Sequence, residues 1–323
     1  ADARSKAKQL KSEITLGADP SAEAKAKKAI PTYAEFMIET YLPHARAYKR
    51  SWKKDESLFR CHLQGEFGSI RLNKLTREHA QKFHGNVCEI KRISKTQADH
   101  CLKLLRHSMN VSVELGIITI NPVEKLKLFN LDNKVERYLN DEELQRLLYV
   151  LKMDRNRMIC NVILLLLATG MRVSELLTRT AGDVDLDNAV LVIDAACSKS
   201  KRQRSLPLNS VALELLAQII EMKGRNEYLF INPRTGLHLK SIHKTWVRIK
   251  RVAALENMRL HDLRHTFSSM LINSGRTLYE VQQILGHSDP KVTQRYAHLS
   301  SKSLQAAAAS ASDAINNAIQ MSA

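Results

Sequence analysis

A tyrosine attacks phosphorus only when something offsets the cost of ionising it and something else holds the phosphate still. Tyr296 follows His287 by nine residues, and His287 closes Leu285-Gly-His287. Upstream stand His261-Asp-Leu-Arg264 and Arg172, the latter within Ala168-Thr-Gly-Met-Arg172-Val-Ser-Glu175. A phenol with a pKa near 10 is ionised in about one molecule in a thousand at pH 7, a deficit of roughly 4 kcal/mol. Cleavage of a phosphodiester also builds charge on its nonbridging oxygens. Arg172 and Arg264 offer two planar, charged guanidiniums that can fork those oxygens, while His261 and His287 offer hydrogen bonds and proton transfer near neutrality. That inventory calls for no cofactor and no metal, and no GxxxxGK[ST] loop occurs.

Each residue alone has a plainer reading. A single tyrosine is more often half-buried packing, and a single arginine an ordinary helix-surface or ion-pairing residue. His261 and His265 are spaced like zinc ligands on one helix face, but Asp262 breaks the HExxH pattern. His265 and His298 read as packing or polar-satisfaction residues rather than catalysts, and Leu278, Val281, Ile284 and Leu285 as a core face.

Together the four patches resemble, in order and spacing, the active site of the tyrosine recombinases, the phage integrase family. The similarity runs from about residue 31 to the end, and outside the catalytic segment it rests on organisation more than identities. The resemblance implies that Arg172 and Arg264 clamp the scissile phosphate. It makes Tyr296 the nucleophile that forms a 3′-phosphotyrosyl link, with His261 and His287 bonding the phosphate or moving the nucleophile's proton. Glu175 matches an acidic residue that orients Arg172, and the general acid falls on a lysine between two strands. Lys199 fits that position best and Lys201 competes, because such loops vary in length. The resemblance also implies double-stranded DNA attachment sites as partners, a homo-tetramer working through a Holliday junction, and accessory DNA-bending or directionality proteins. The chain resembles prophage and genomic-island integrases in particular. A type IB topoisomerase, or a DNA-binding regulator with a decayed site, are the alternatives.

Composition agrees. The chain has 323 residues and a formal net charge of +17, long enough for two domains and basic enough to seek a polyanion. A membrane is the competing partner, but the apolar run from Val162 to Ala168 is bounded by Cys160 and Asn161 and is too short to span. The five cysteines, Cys61, Cys88, Cys101, Cys160 and Cys197, are scattered without CxxC pairs and read as reduced thiols of a cytoplasmic, nucleoid-associated protein.

The elements that must carry these residues form a mostly α fold with a small antiparallel sheet: a helical core-binding domain and a mixed α+β catalytic domain. Residues 1–30, rich in Ala, Lys and Glu, read as a linker helix, which the resemblance places after a missing N-terminal arm-binding domain. Residues 31–132 show helical spacing at Tyr33, Phe36, Met37, Tyr41 and at Cys101, Leu102, Leu105, Met109, predicting four or five packed helices. Basic residues gather there at Lys49, Arg50, Lys53, Lys54 around Trp52, and at Lys91, Arg92, Lys95, where phosphate contacts supply affinity with little sequence information. The catalytic domain, 137–300, starts at the capping-box pattern Asn140-Asp-Glu-Glu143. Helices are expected at 141–153, 157–169, 210–222, 241–254, 261–274 and 278–285, with strands at 189–195 and 204–208. Residues 301–323 form an Ala/Ser-rich tail, which the resemblance docks onto a neighbouring protomer.

Overall fold

The computed structural model describes residues 30–90, 92–129, 131, 137–194, 203–223 and 228–297. The expected linker helix at 1–29, Lys91, Lys199, Lys201, His298 and the tail lie outside the described residues. The chain divides into two compact units between Asn133 and Lys134.

The first unit is helical. Helix α1 (Tyr33–Phe36) passes through a π-helical turn, Met37–Tyr41, into α2 (Leu42–Tyr48). The same pattern recurs where α3 (Trp52–Leu58) runs through Phe59–Leu63 into α4 (Gln64–Phe67). Two uninterrupted helices follow, α5 (Arg77–Ile90) and α6 (Lys95–Glu114). Tyr33, Phe36, Met37, Tyr41, Cys101, Leu102, Leu105 and Met109 are all core residues, so the helical spacing of the sequence is the spacing of the buried face. A polar pin ties the end of the unit down. Asp99 accepts from the Phe129 amide at 3.0 Å and pairs with His84 Nε2 at 2.8 Å, and Phe129 stacks on the His84 ring.

The second unit begins with α7 (Asp141–Met153), where Asn140 and Glu143 form a reciprocal capping box. Helix α8 (Arg157–Thr169) is its apolar spine, with Ile159, Val162, Ile163, Leu165 and Leu166 buried. After the short α9 (Val173–Leu177) comes an antiparallel sheet of β1 (Val184–Asp185), β2 (Val190–Ile193) and β3 (Arg204–Pro207), in that order. Leu191 and Leu206 are cross-strand partners that both face the core, which fixes the register. Helices α10 (Ser210–Lys223), α11 (His243–Val252), α12 (Asp262–Asn273), α13 (Leu278–Leu285) and α14 (Lys291–Gln294) complete the unit. The sequence reading places two strands and six helices here. The structure adds β1, α9 and α14, each too short to carry a period. Among the described residues, no helix is long and apolar enough to cross a membrane.

Candidate active site

Glycine begins the site. Helix α8 stops at Gly170 in the left-handed region, φ 63°, and a Cβ there would stand 2.4 Å from Phe267 Cδ1 on α12. Only glycine lets this turn close on α12. The chain then swings out, so that Arg172, extended at ψ 143°, caps α9. Glu175 lies beneath it, fully buried. Its Oε1 accepts from an Arg172 guanidinium nitrogen at 2.6 Å, and its Oε2 accepts from the Arg172 amide at 3.3 Å and from Arg204 at 3.1 Å. Burial pushes the Glu175 carboxyl up, but the hydrogen bond and charge of Arg172, joined by the charge of Arg204, outweigh it and hold it below its ordinary value.

Helix α12 supplies the next three side chains. His261 stands at its N-cap, and Arg264 is 3% exposed, donating to the Gly170 carbonyl at 2.7 Å and to the Leu285 carbonyl at 2.9 Å. Burial, followed by repulsion from Arg172, lowers the Arg264 guanidinium to about 9, which leaves it charged at pH 7. His265 follows His261 by one turn, and the two rings meet edge to face at 5.2 Å. Helix α13 ends at Gly286, again left-handed with φ 67°, and the next residue is His287. Thr293 Oγ1 holds His287 Nδ1 at 2.8 Å, which leaves Nε2 as the free ring nitrogen for a ligand. Tyr296 packs with Phe267, Ile272, Val281 and Leu285 in a small separate core, 4% exposed, and its hydroxyl is hydrogen-bonded to His265 Nδ1.

One cavity of about 330 Å³ gathers these groups: Arg172, His261, Arg264, His265, His287 and Tyr296 all line it. Burial lowers His287 to about 3 and His265 to about 4, with Arg264 and Arg172 adding to the first and His261 to the second. His261 is lowered for the same reasons, burial first and then Arg264 and Arg172. All three imidazoles are therefore neutral at pH 7. A phosphodiester anion entering the cavity would meet two guanidiniums and neutral donors, and its charge would favour protonating the histidines.

The structure thus brings together five of the six expected catalytic residues, with Glu175 directly behind Arg172. The sixth, Lys199, lies outside the described residues, as does Lys201. The sequence reads His265 as a packing or polar-satisfaction residue. It is buried, as a packing residue would be, yet it lines the cavity and bonds the Tyr296 hydroxyl. Its place four residues after His261 was the available signal, since that spacing puts both on one helix face. Arg204 was missed altogether as a partner of Glu175.

In the helical unit the expected DNA contacts have mixed surroundings. Arg50, Lys53, Lys54, Arg92 and Lys95 are exposed. Lys53 lies over the Trp52 ring at 5.7 Å and Lys95 over Phe129 at 5.6 Å. Lys49 pairs with buried Asp55 at 2.6 Å, so its charge is already partly neutralised. Sequence reasoning overlooked Arg46, stacked over Trp52, and His100, Lys103 and His107, which line a second cavity with Lys49 and Lys54.

Known proteins resemble this chain in sequence and fold. The model of the phage integrase family covers residues 137–303, over half of the chain, and that of the phage integrase N-terminal SAM-like domain covers 32–86. The chain belongs to the phage integrase family. As a member of this tyrosine recombinase family it is an enzyme that breaks and rejoins DNA strands at specific sites. Tyrosine recombinase XerC of Bacillus subtilis (strain 168) is 31% identical over 228 residues, 67% of this chain and 74% of that relative. A tyrosine recombinase of Thermosipho africanus is 23% identical over 81% of this chain and 94% of that relative. Among solved structures, the Tn1549 transposon integrase in complex with transposon right end DNA superposes with a TM-score of 0.71 at 20% identity, covering 87% of this recombinase and 99% of that chain. A lambda integrase tetramer bound to a Holliday junction gives 0.68 at 18% identity, covering 91% and 86%. The mostly helical fold with a small antiparallel sheet is therefore that of the integrases.

Proposed function

We propose that this recombinase is an integrase of a prophage or genomic island, and that the cavity around Tyr296 carries its chemistry. Tyr296 Oη attacks the scissile phosphorus, the bond to the 5′-oxygen breaks, and a 3′-phosphotyrosyl link forms. Lys199, or Lys201 in its stead, protonates the departing 5′-oxygen. Arg172 and Arg264 hold the nonbridging oxygens, His287 and His261 bond the phosphate and take up the phenol's proton, and Glu175 keeps Arg172 in place. Reversal by a 5′-hydroxyl from the partner duplex rejoins the strand. The covalent link stores the phosphodiester energy, so the cycle calls for no nucleotide and no metal.

The observation that carries this reading is the convergence of Arg172, His261, Arg264, His287 and Tyr296 on one cavity. The helical unit holds the core site through Arg50, Lys53, Lys54, Arg92 and Lys95, together with Lys49 and Lys91. Four protomers act through a Holliday junction, residues 301–323 dock between protomers, and accessory bending or directionality proteins set the outcome on the nucleoid.

The test begins with a pool of nicked duplexes of randomised sequence. Incubation, denaturation and recovery of covalent adducts should yield an enriched core sequence, with Tyr296 as the linked residue by peptide mass. Linkage at another tyrosine, or no adduct at all, overturns the proposal. Exchange of strands between two linear duplexes bearing that core distinguishes recombination from topoisomerase-like relaxation, which leaves linear partners unexchanged.

A further inference from the structure

Arg204 opens β3, after the segment that holds Lys199 and Lys201, and it does not itself line the cavity, although it packs on Gly286, which does. Its side chain nevertheless spans the site from below. One terminal nitrogen donates to Glu175 Oε2 at 3.1 Å, the other to the Ile284 carbonyl at 2.6 Å. Glu175 is the carboxylate that grips Arg172. Ile284 lies in the last turn of α13, and the chain leaves that turn through Gly286 into His287.

Three further observations show that the place is built around this guanidinium. A Cβ on Gly286 would stand 2.6 Å from Arg204 Cδ and Nε and 2.7 Å from Cζ, so the bare glycine backbone is what the side chain packs against. Arg264 donates to the next carbonyl, that of Leu285, at 2.9 Å, so two arginines hold successive carbonyls at the negative end of one helix. Among the described residues, Arg204 Nε is buried without an acceptor, a cost that a residue serving stability alone could avoid. A buried ion pair is itself weak evidence for stability, since apolar replacements often do as well. What apolar groups cannot do is bond two groups at fixed geometry.

We propose that Arg204 is a positioning residue that locks Arg172 and His287 into one frame, through Glu175 on one side and the C-terminal carbonyl of α13 on the other. The inference rests on the proposed chemistry of this cavity. Two features make the planar fork necessary. Glu175 and Ile284 lie on separate segments, and an ammonium, whose donors all sit on one nitrogen, lacks the spaced planar fork that reaches both. Misplacing a reacting group by about 1 Å can cost on the order of a hundredfold in rate.

Arg204→Met and Arg204→Lys test this on the whole chain. With the core duplex recovered by adduct selection, Arg204→Met should bind DNA as the parent does but form adduct about a hundredfold more slowly. Arg204→Lys, which keeps the charge and so guards against a folding failure of the first variant, should still be slowed by about tenfold or more. The loss should persist on a duplex whose bridging 5′-oxygen is sulfur, a leaving group that needs no proton. Recovery there would overturn the proposal, because Arg204 would then act through the lysine loop. A second arm needs no DNA: the ring 15N signals of His287, identified by their disappearance in His287→Gln, should shift in both Arg204 variants. Unmoved His287 signals or unchanged adduct rates would also overturn it. A parent chain that forms no adduct would instead defeat the proposed chemistry, while the nitrogen signals would still report on the hold over His287.

Discussion

Tyr296, Arg172 and Arg264 can be separated by substitutions that each remove one thing. Tyr296→Phe deletes the proposed attacking oxygen and the hydrogen bond to His265, and leaves the ring in its small core with Phe267 and Leu285. Adduct formation should vanish while duplex affinity in a gel-shift titration stays within a few tenths of a kcal/mol. Full-yield adduct in this variant would remove Tyr296 from its role. Arg172→Lys and Arg264→Lys keep the charge and lose the fork, so each should slow adduct formation by roughly 2–4 kcal/mol per lost transition-state contact, with binding retained. Arg264→Lys should be the worse of the two, because that guanidinium also bonds the Gly170 and Leu285 carbonyls. Residue types were legible because the chemistry needs particular types at separate places in the sequence. Partners were not. Nothing local shows that Tyr296 returns to His265, or that Arg204 reaches both Glu175 and Ile284, since both facts are set by tertiary packing.

The turn at Gly170 shows what an element boundary contributes. Gly170→Ala forces a side chain into a backbone with φ 63° and against Phe267 Cδ1 and Leu285 Cδ2, 2.4 and 2.9 Å away. Strain of order 1–3 kcal/mol is expected, read as a lowered urea midpoint, together with slower adduct formation because Arg172 and Arg264 both hang on this turn. An unchanged midpoint would mean that α12 and α13 yield more easily than their packing suggests. Long elements were legible at their own lengths: the 13 residues of α8 are apolar enough, and α7 capped clearly enough, to set both ends from sequence. A two-residue strand such as β1 leaves no alternation to read, and α14, at four residues, leaves no helical period. The basic segment between β2 and β3 reads as a loop in the sequence, and residues 195–202, its lysines included, lie outside the described residues.

Across the whole molecule, the buried histidines make stability depend on pH. An unfolded histidine titrates near 6.5, whereas His265 and His287 in the fold wait until about 4 and about 3. Between those limits the unfolded chain binds protons that the folded chain does not, so stability rises with pH up to the unfolded value and is lost as pH falls from about 6.5. His261 and His100, both lowered first by burial, add to the same slope. Carboxylates such as Glu175 and Glu143 act in the same direction only below their own unfolded range. Urea midpoints between pH 7 and 5 should therefore fall, and the fall should lessen in His265→Gln and His287→Gln. A flat profile would show that these rings are more solvated than their burial indicates.

The bond between Tyr296 and His265 bears on how this enzyme behaves when no DNA is present. A phenol enclosed in its own small core, its oxygen already engaged, is a poor target for any electrophile arriving from solvent. Tyr48, Tyr149 and Tyr279, exposed to 78%, 63% and 69%, are easy ones. Treatment with tetranitromethane should nitrate those three readily and Tyr296 slowly, and a Tyr296 that reacts as fast as Tyr279 would contradict the arrangement. On the proposed chemistry, an idle recombinase so built keeps its nucleophile chemically silent toward phosphates and reactive small molecules, and engages it only on a strand that offers the phenol a better partner than the imidazole.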